Sequence, residues 1–503
     1  MKSPKWSSAG WVAAIAFTAV AVSSCTTEKL VYRDGFSFTT PPTAAANFVG
    51  YSDPATKATV CGSCHAAQQN KWLGTGHAKA WANLQASGHA SKDCENCHTV
   101  SMLGNGGTDP NVAFASTNDP RYQDVQCESC HGAGLPHVAG PALSNRPLAS
   151  IAVDKSATPS DGCGECHTGT HEPFVDEWKQ SAHAGIQSAP LDDYFAAEPE
   201  TDCANCHIGQ RALVAWGVNT DYKEKNFTKE TAVGITCAVC HDPHNAGDDK
   251  QLRLSLSAAD TSKNLCMRCH QRRGVPAATS SRGPHSPEGP TLLGIAGYRP
   301  ANMANAPAAI VATHGSPTAN SKMCATCHVA RFTVNDPKTG GFMFQATGHL
   351  FTAIPCLDSI GRPTTASCSD DQRTFKACAA SGCHGSGDVA KSAMYTAEQR
   401  IQTLGTTLNA QLAKVKAQFP GEYSTTDNKI TTAEGATFNL AMAGAWNKTT
   451  GVFDVNVGAV VHNPFLIETL LTNSIKQLTT DYGVPTANVV NLNNVLKAPP
   501  GMK

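Results

Sequence analysis

Cys61-Gly62-Ser63-Cys64-His65 decides how this chain is read, because the same Cys-x-x-Cys-His pattern returns seven more times. The later copies run Cys94, Cys97 and His98; Cys127, Cys130 and His131; Cys163, Cys166 and His167; Cys203, Cys206 and His207; Cys237, Cys240 and His241; Cys266, Cys269 and His270; and Cys324, Cys327 and His328. Numbered in chain order, these are motifs one to eight. Two thiols three positions apart reach the two vinyl groups of one haem as thioethers, and the next histidine is thereby placed under the ring to ligate iron. Chance would supply roughly 0.03 such segments in a chain of this length, so the pattern reads as c-type haem attachment. A zinc site would need motifs combining in twos and gives no reason for a histidine after every second cysteine. Eight redox dithiols would serve no exchange cycle.

Cys378-Ala379-Ala380-Ser381-Gly382-Cys383-His384 has four residues between its cysteines, a longer spacing that resembles some haem sites of small multihaem cytochromes. It is taken as motif nine. The competing reading joins Cys378 and Cys383 in disulfides with Cys356 and Cys368 and leaves His384 incidental. Bookkeeping favours nine haems: nine cysteine pairs, one lipidated Cys25 and one Cys356 to Cys368 disulfide use all 21 cysteines and leave no orphan thiol in an oxidising compartment.

Of the 19 histidines, nine follow motif cysteines. The others are His77, His89, His137, His171, His183, His244, His285, His314, His349 and His462, ten candidates for nine open iron faces. A lone histidine is ordinarily a satisfied or exposed residue, but nearly all of these sit within a few dozen residues of a haem that needs one. His171 is the weakest candidate, lying directly beyond motif four, and methionine is the alternative ligand at one or two sites. Two imidazoles saturate iron and hold its potential below that of a methionine-ligated haem.

The first six motifs form a duplicated three-haem block. Trp72 to Ala78 recurs as Trp178 to Ala184, each between the first and second motif of its block, and Pro136-His137 is matched by Pro243-His244. This register puts His77 with His183 and His137 with His244 in equivalent places. His89 has no counterpart in the second block, where His171 is the substitute. The expected organisation is a signal segment over 1–24, a linker over 25–60, three-haem blocks over 61–150 and 151–262, a looser three-haem region over 263–384, and a helical region over 385–503. In that last region Ile401, Leu404, Leu408, Leu412 and Val415 recur at helical spacing. So do Leu466, Leu470, Leu471, Ile475 and Leu478 after Asn463-Pro464, a helix start. His462, just ahead of this stripe, is placed either to clip the tail to a haem or to serve as a polar residue at a helix start.

Composition agrees. A length of 503 residues suggests about two to four domains, yet 42 Gly, 29 Pro and 7% aromatic residues make a thin supply for that much core. Cofactors are expected to fill the interior. With 39 basic against 40 acidic residues and 16% charged overall, neither a nucleic-acid surface nor an acidic disordered tail fits. Lys2 and Lys5 precede an apolar run from Ala9 to Val22 that is short for a membrane span and suits a secretory signal. Val22-Ser23-Ser24-Cys25 resembles a bacterial lipobox, and Thr26 in place of aspartate favours the outer membrane. An ordinary cleavage site or an uncleaved anchor is the alternative.

On these motifs the chain resembles bacterial multihaem c-type cytochrome lipoproteins of outer-membrane and extracellular electron transfer. The resemblance covers about 61–384 plus the lipobox. It implies a mainly helical, loop-rich fold packed around haem c, with a helical C-terminal region and neighbouring haems in edge contact. It further implies an exported carrier, held to the membrane by a lipid on Cys25, that takes electrons from other cytochromes and passes them to a redox protein or an extracellular acceptor. A reductase of a small nitrogen or sulfur oxyanion is the alternative, although no Cys-x-x-Cys-Lys is present. A filament-forming subunit is the third reading.

Overall fold

Most described attachment motifs fold as single helical turns, which put thiols at i and i+3 near the histidine at i+4, while Cys266 to His270 is a non-helical turn. Helices cover Lys92–His98, Cys127–His131, Thr201–His207, Cys237–Cys240 and Cys324–His328, and tighter 3-10 turns cover Cys61–Ser63 and Cys163–Glu165. In several motifs the histidine N–H closes the turn onto the first cysteine's carbonyl, at 2.9 Å for His65 on Cys61 and 3.0 Å for His167 on Cys163. The structure is a computed structural model that describes residues 45–153, 162–169, 173–185, 201–218, 221–245, 249–336, 338–380, 384–424 and 426–485. The signal segment, Cys25, His171 and Cys383 lie outside the described residues.

With 44% helix and 9% strand the chain is mainly helical, as expected. Four two-stranded antiparallel sheets among the described residues were not foreseen, two of them hairpins of four- and five-residue strands. The first pairs β1 (Phe332–Asn335) with β2 (Phe342–Ala346), the second β3 (Gly444–Asn447) with β4 (Val452–Val455). Cys356 and Cys368 form a disulfide, the pairing the cysteine bookkeeping expects for these two residues.

Core distribution divides the chain. In the motif-bearing region the buried apolar clusters are small, such as Phe48, Val100, Val112, Ala113, Phe114 and Tyr122 around motif three. The tail instead builds one continuous core. Its helix α1 (Gly387–Gln418) starts at Ser386, whose hydroxyl accepts the Val389 N–H, and buries the stripe from Ile401 to Val415. Helix α2 (Thr432–Ala443) begins at Thr431, which forms a reciprocal capping box with Glu434. Helix α3 (Val457–His462) leads through Asn463 into α4 (Pro464–Tyr482), with proline in the first turn and the Asn463 side chain accepting the Leu466 N–H. Helix α4 packs its buried leucines on α1 and α2. The β3–β4 hairpin seats Phe453 so close to α1 that a Cβ at Gly405 would lie 2.3 Å from its ring. The tail is tied to the third region through Asn463, which donates to the carbonyls of Thr291 and Ile310, and through Asn439, which donates to that of Tyr298. Among the described residues no helix is long and apolar enough to cross a membrane.

Candidate haem sites

The duplication seen in the sequence is structural. Trp72 Nε1 donates to the carbonyl of Val125, two residues before motif three, at 3.0 Å. Trp178 Nε1 donates to that of Ile235, two residues before motif six, at 2.9 Å. The His77 carbonyl accepts the Val125 N–H, and the His183 carbonyl accepts the Ile235 N–H. Each Trp-to-His segment is thereby pinned against the third motif of its own block, which fixes where its histidine can go.

Those histidines reach outside their block. His77 faces His167 of motif four with ring centroids 6.0 Å apart, and His183 faces His270 of motif seven at 6.2 Å. His244 faces His131 of motif three at 6.1 Å, and His349 faces His241 of motif six at 6.4 Å. His285 faces His207 at 6.2 Å, His462 faces His328 at 6.0 Å, and His314 faces His384 of motif nine at 6.0 Å. An imidazole–metal bond is about 2 Å long, so two rings bound to one metal from opposite sides have their centres about 6 Å apart. The interplanar angles run from 22° for His241 and His349 to 78° for His183 and His270. That spread is permitted, since each ring can rotate about its nitrogen–iron axis.

Hydrogen bonds set the tautomers. Nδ1 of His131 donates to the Pro147 carbonyl, Nδ1 of His241 to that of Lys250, and Nδ1 of His328 to that of Phe351, at 2.8–2.9 Å. Nδ1 of His98 donates to Ala80 at 2.9 Å, and Nδ1 of His314 to Val461 at 2.6 Å. A carbonyl can only accept, so Nδ1 carries the proton and Nε2 keeps its lone pair for a metal. His270 Nδ1 instead meets the Glu288 carboxylate at 3.3 Å, and this contact raises its pKa. Burial, assisted by the facing histidine, lowers His77, His183, His349 and His462 to about 4, so these rings are neutral at pH 7, as ligation requires.

Sequence reasoning missed Glu177, which is 5% exposed. Its carboxylate accepts the N–H of Thr347 at 2.8 Å, the Thr347 hydroxyl at 2.6 Å and the His349 N–H at 2.7 Å. The Thr347 oxygen in turn lies 3.2 Å from His349 Nδ1. One carboxylate thus holds the segment that presents His349 to His241, across about 170 residues of chain. Glu128, inside motif three, likewise accepts the N–H groups of Val49, Gly50 and Gly134 at 2.7–3.0 Å.

Four described histidines stand outside the facing pairs. His65 is exposed and His98 half-buried, and neither has a ring contact with another histidine among the described residues. His89 is exposed, while His137 is half-buried with Nδ1 3.0 Å from Asn145 Oδ1. His171, the remaining candidate, lies outside the described residues. Among the described residues, seven of the nine motif histidines therefore have a facing imidazole.

These residues fit covalent haem. Most described motifs put two thiols and a histidine within one turn, seven ring pairs leave the gap one iron fills, and the described motif-bearing region has small apolar clusters of its own. A family model described as cytochrome c554 and c-prime matches residues 60–132, spanning motifs one to three. A doubled CXXCH motif model matches residues 230–274, spanning motifs six and seven. No curated protein and no solved structure matches the chain. The two family matches support a multihaem c-type cytochrome with covalently bound haem c, and domains of that kind imply electron transfer.

Proposed function

We propose that the protein carries nine haems, eight on Cys-x-x-Cys-His motifs and one on Cys378 and Cys383, and that most of them are closed on both iron faces by histidine. The observation that carries this is the set of seven histidine pairs at 6.0–6.4 Å. Haem supplies the one-electron chemistry. The chain's own residues would hold it: proximal and distal imidazoles would ligate iron, Nδ1 hydrogen bonds would keep those rings in place, and no paired histidine would be left to move a proton for a substrate. Such a protein passes electrons between partners. The basic, apolar N-terminus and the Val22-to-Cys25 segment support export and lipid anchoring at Cys25, with the outer membrane as site and other cytochromes or an extracellular acceptor as partners.

One observation favours a second reading. His65 and His98 both lack a facing imidazole among the described residues, and of the two His65 is the exposed one, so motif one or motif two is where an open iron of a reductase would sit. Electron paramagnetic resonance of the purified holoprotein, with a pyridine haemochrome count, decides between them. Nine haems with wholly low-spin ferric signals support the carrier. A high-spin signal from one haem that shifts on adding nitrite or hydroxylamine supports the reductase, and high-spin signal from most haems defeats the paired-histidine basis of the carrier.

A further inference from the structure

Five of the motif histidines divide by the acceptor that Nδ1 meets. His98, His131, His241 and His328 donate to the neutral backbone carbonyls of Ala80, Pro147, Lys250 and Phe351, whereas His270 of motif seven meets the Glu288 carboxylate at 3.3 Å. A carboxylate also stands near His244, the ring that faces motif three. There, however, Asp242 Oδ1 is 3.6 Å from Nδ1, beyond hydrogen-bond reach.

The Glu288 contact is built by the backbone around it. The Gly289 N–H donates to the His270 carbonyl at 2.8 Å, so the residue next to Glu288 is tied to the histidine itself. A Cβ at Gly289 would lie 2.8 Å from that carbonyl oxygen and 2.9 Å from Met267 Cγ, so glycine lets the short helix Glu288–Leu292 approach this closely. Behind it Met267, Leu292, Leu293 and Met323 form a buried cluster, and Asn463 donates to the Thr291 carbonyl at 3.1 Å. Packing of this backbone delivers Glu288 to Nδ1.

Acceptor charge matters because a hydrogen bond at Nδ1 makes the other ring nitrogen a more basic ligand. A charged acceptor makes a bond about twice as strong as a neutral one. An iron porphyrin carries one more positive charge oxidised than reduced, so a carboxylate behind the ligand favours the oxidised form and lowers the potential. We propose that Glu288 is a positioning residue that acts through His270 and holds the haem on motif seven at a lower potential than haems whose motif histidines donate to backbone carbonyls. Electrons then pass over motif seven to a neighbouring haem and do not rest there. The inference deepens the electron-carrier reading and rests on it for the haem and for closure of its iron by His183, whose ring faces His270 at 6.2 Å.

The test is a potentiometric titration of the holoprotein, followed by optical absorbance and low-spin paramagnetic resonance, comparing the parent with E288Q. Glutamine keeps the shape and a carbonyl acceptor and removes the charge. The His270 and Glu288 side chains are 45% and 42% exposed, so solvent trims the effect and the expected change is about fivefold in one haem's reduction equilibrium. At about 59 mV per decade for one electron, one wave moves up by about 41 mV while haem count and low-spin signal stay as in the parent. D427N, which removes an exposed carboxylate from the turn between α1 and α2, should move no wave. All E288Q waves within about twofold of the parent, roughly 18 mV, or an equal shift in D427N, would overturn the proposal. Should E288Q lose haem, the order within the parent decides. The low-spin component that H183A removes, on motif seven, must titrate below the one that H349A removes, on motif six, and the reverse order overturns the proposal. A parent without low-spin haems defeats the carrier reading and this inference with it, whereas unmoved waves in E288Q beside an intact low-spin parent defeat the inference alone.

Discussion

Replacing Glu177 by alanine strips the acceptor from three buried donors at once: the Thr347 and His349 N–H groups and the Thr347 hydroxyl. A buried donor left without a partner costs about 1–3 kcal/mol, and hydrogen bonds to a charged group lie at the upper end of that range. The Thr347 hydroxyl can turn elsewhere, so the two backbone N–H groups dominate and the expected loss is about 3 kcal/mol, roughly a hundredfold in the folding equilibrium. The loss should be felt at one haem in particular, because the same carboxylate fixes the backbone of His349 and, through Thr347, its ring. Urea unfolding followed by circular dichroism should show the midpoint falling without a change of slope. Electron paramagnetic resonance should show a new high-spin fraction of about one haem in nine, and E177Q, which keeps one carbonyl acceptor, should fall between. An E177A protein within 0.5 kcal/mol of the parent, with its low-spin spectrum unchanged, would refute the claim that this carboxylate positions a ligand.

H183A should keep all its porphyrins, because the thioethers are untouched, while the haem on motif seven turns high-spin; the paired readouts are intact mass and paramagnetic resonance. C383A, tested for motif nine, should lower the haemochrome count by one haem and leave the other eight in place. G405A should destabilise the tail by about 1–3 kcal/mol, because its Cβ would meet the Phe453 ring at 2.3 Å. G421A, where a Cβ meets nothing within 4 Å, is the matched control and should be neutral in the same thermal melts.

The parts of the fold written in short-range pattern were legible. Motif spacing declared the attachment turns, Pro464 and Asn463 declared the start of α4, and the leucine stripes at helical spacing declared the faces on which α1 and α4 pack. The Trp72 and Trp178 repeat declared equivalent histidines, and His462 was placed where the tail could reach a haem. Which motif each histidine faces was not legible, because the pairing joins residues far apart in sequence, such as His131 with His244, and follows no single step along the chain. The hairpins were missed for a local reason. Phe332–Asn335 and Val452–Val455 are short and stand beside turn residues that also suit loops, so alternation over four positions carried little weight against the surrounding Gly and Pro. Glu177 was illegible for the same cause as the ligand pairing: nothing near it in sequence shows that its three donors come from Thr347 and His349.

Intact-mass spectrometry of the protein matured in a host competent for cytochrome assembly tests the central claim most directly. The account predicts a mass gain equal to nine covalently bound porphyrins that survives denaturation. A polypeptide with no added porphyrin mass would contradict it.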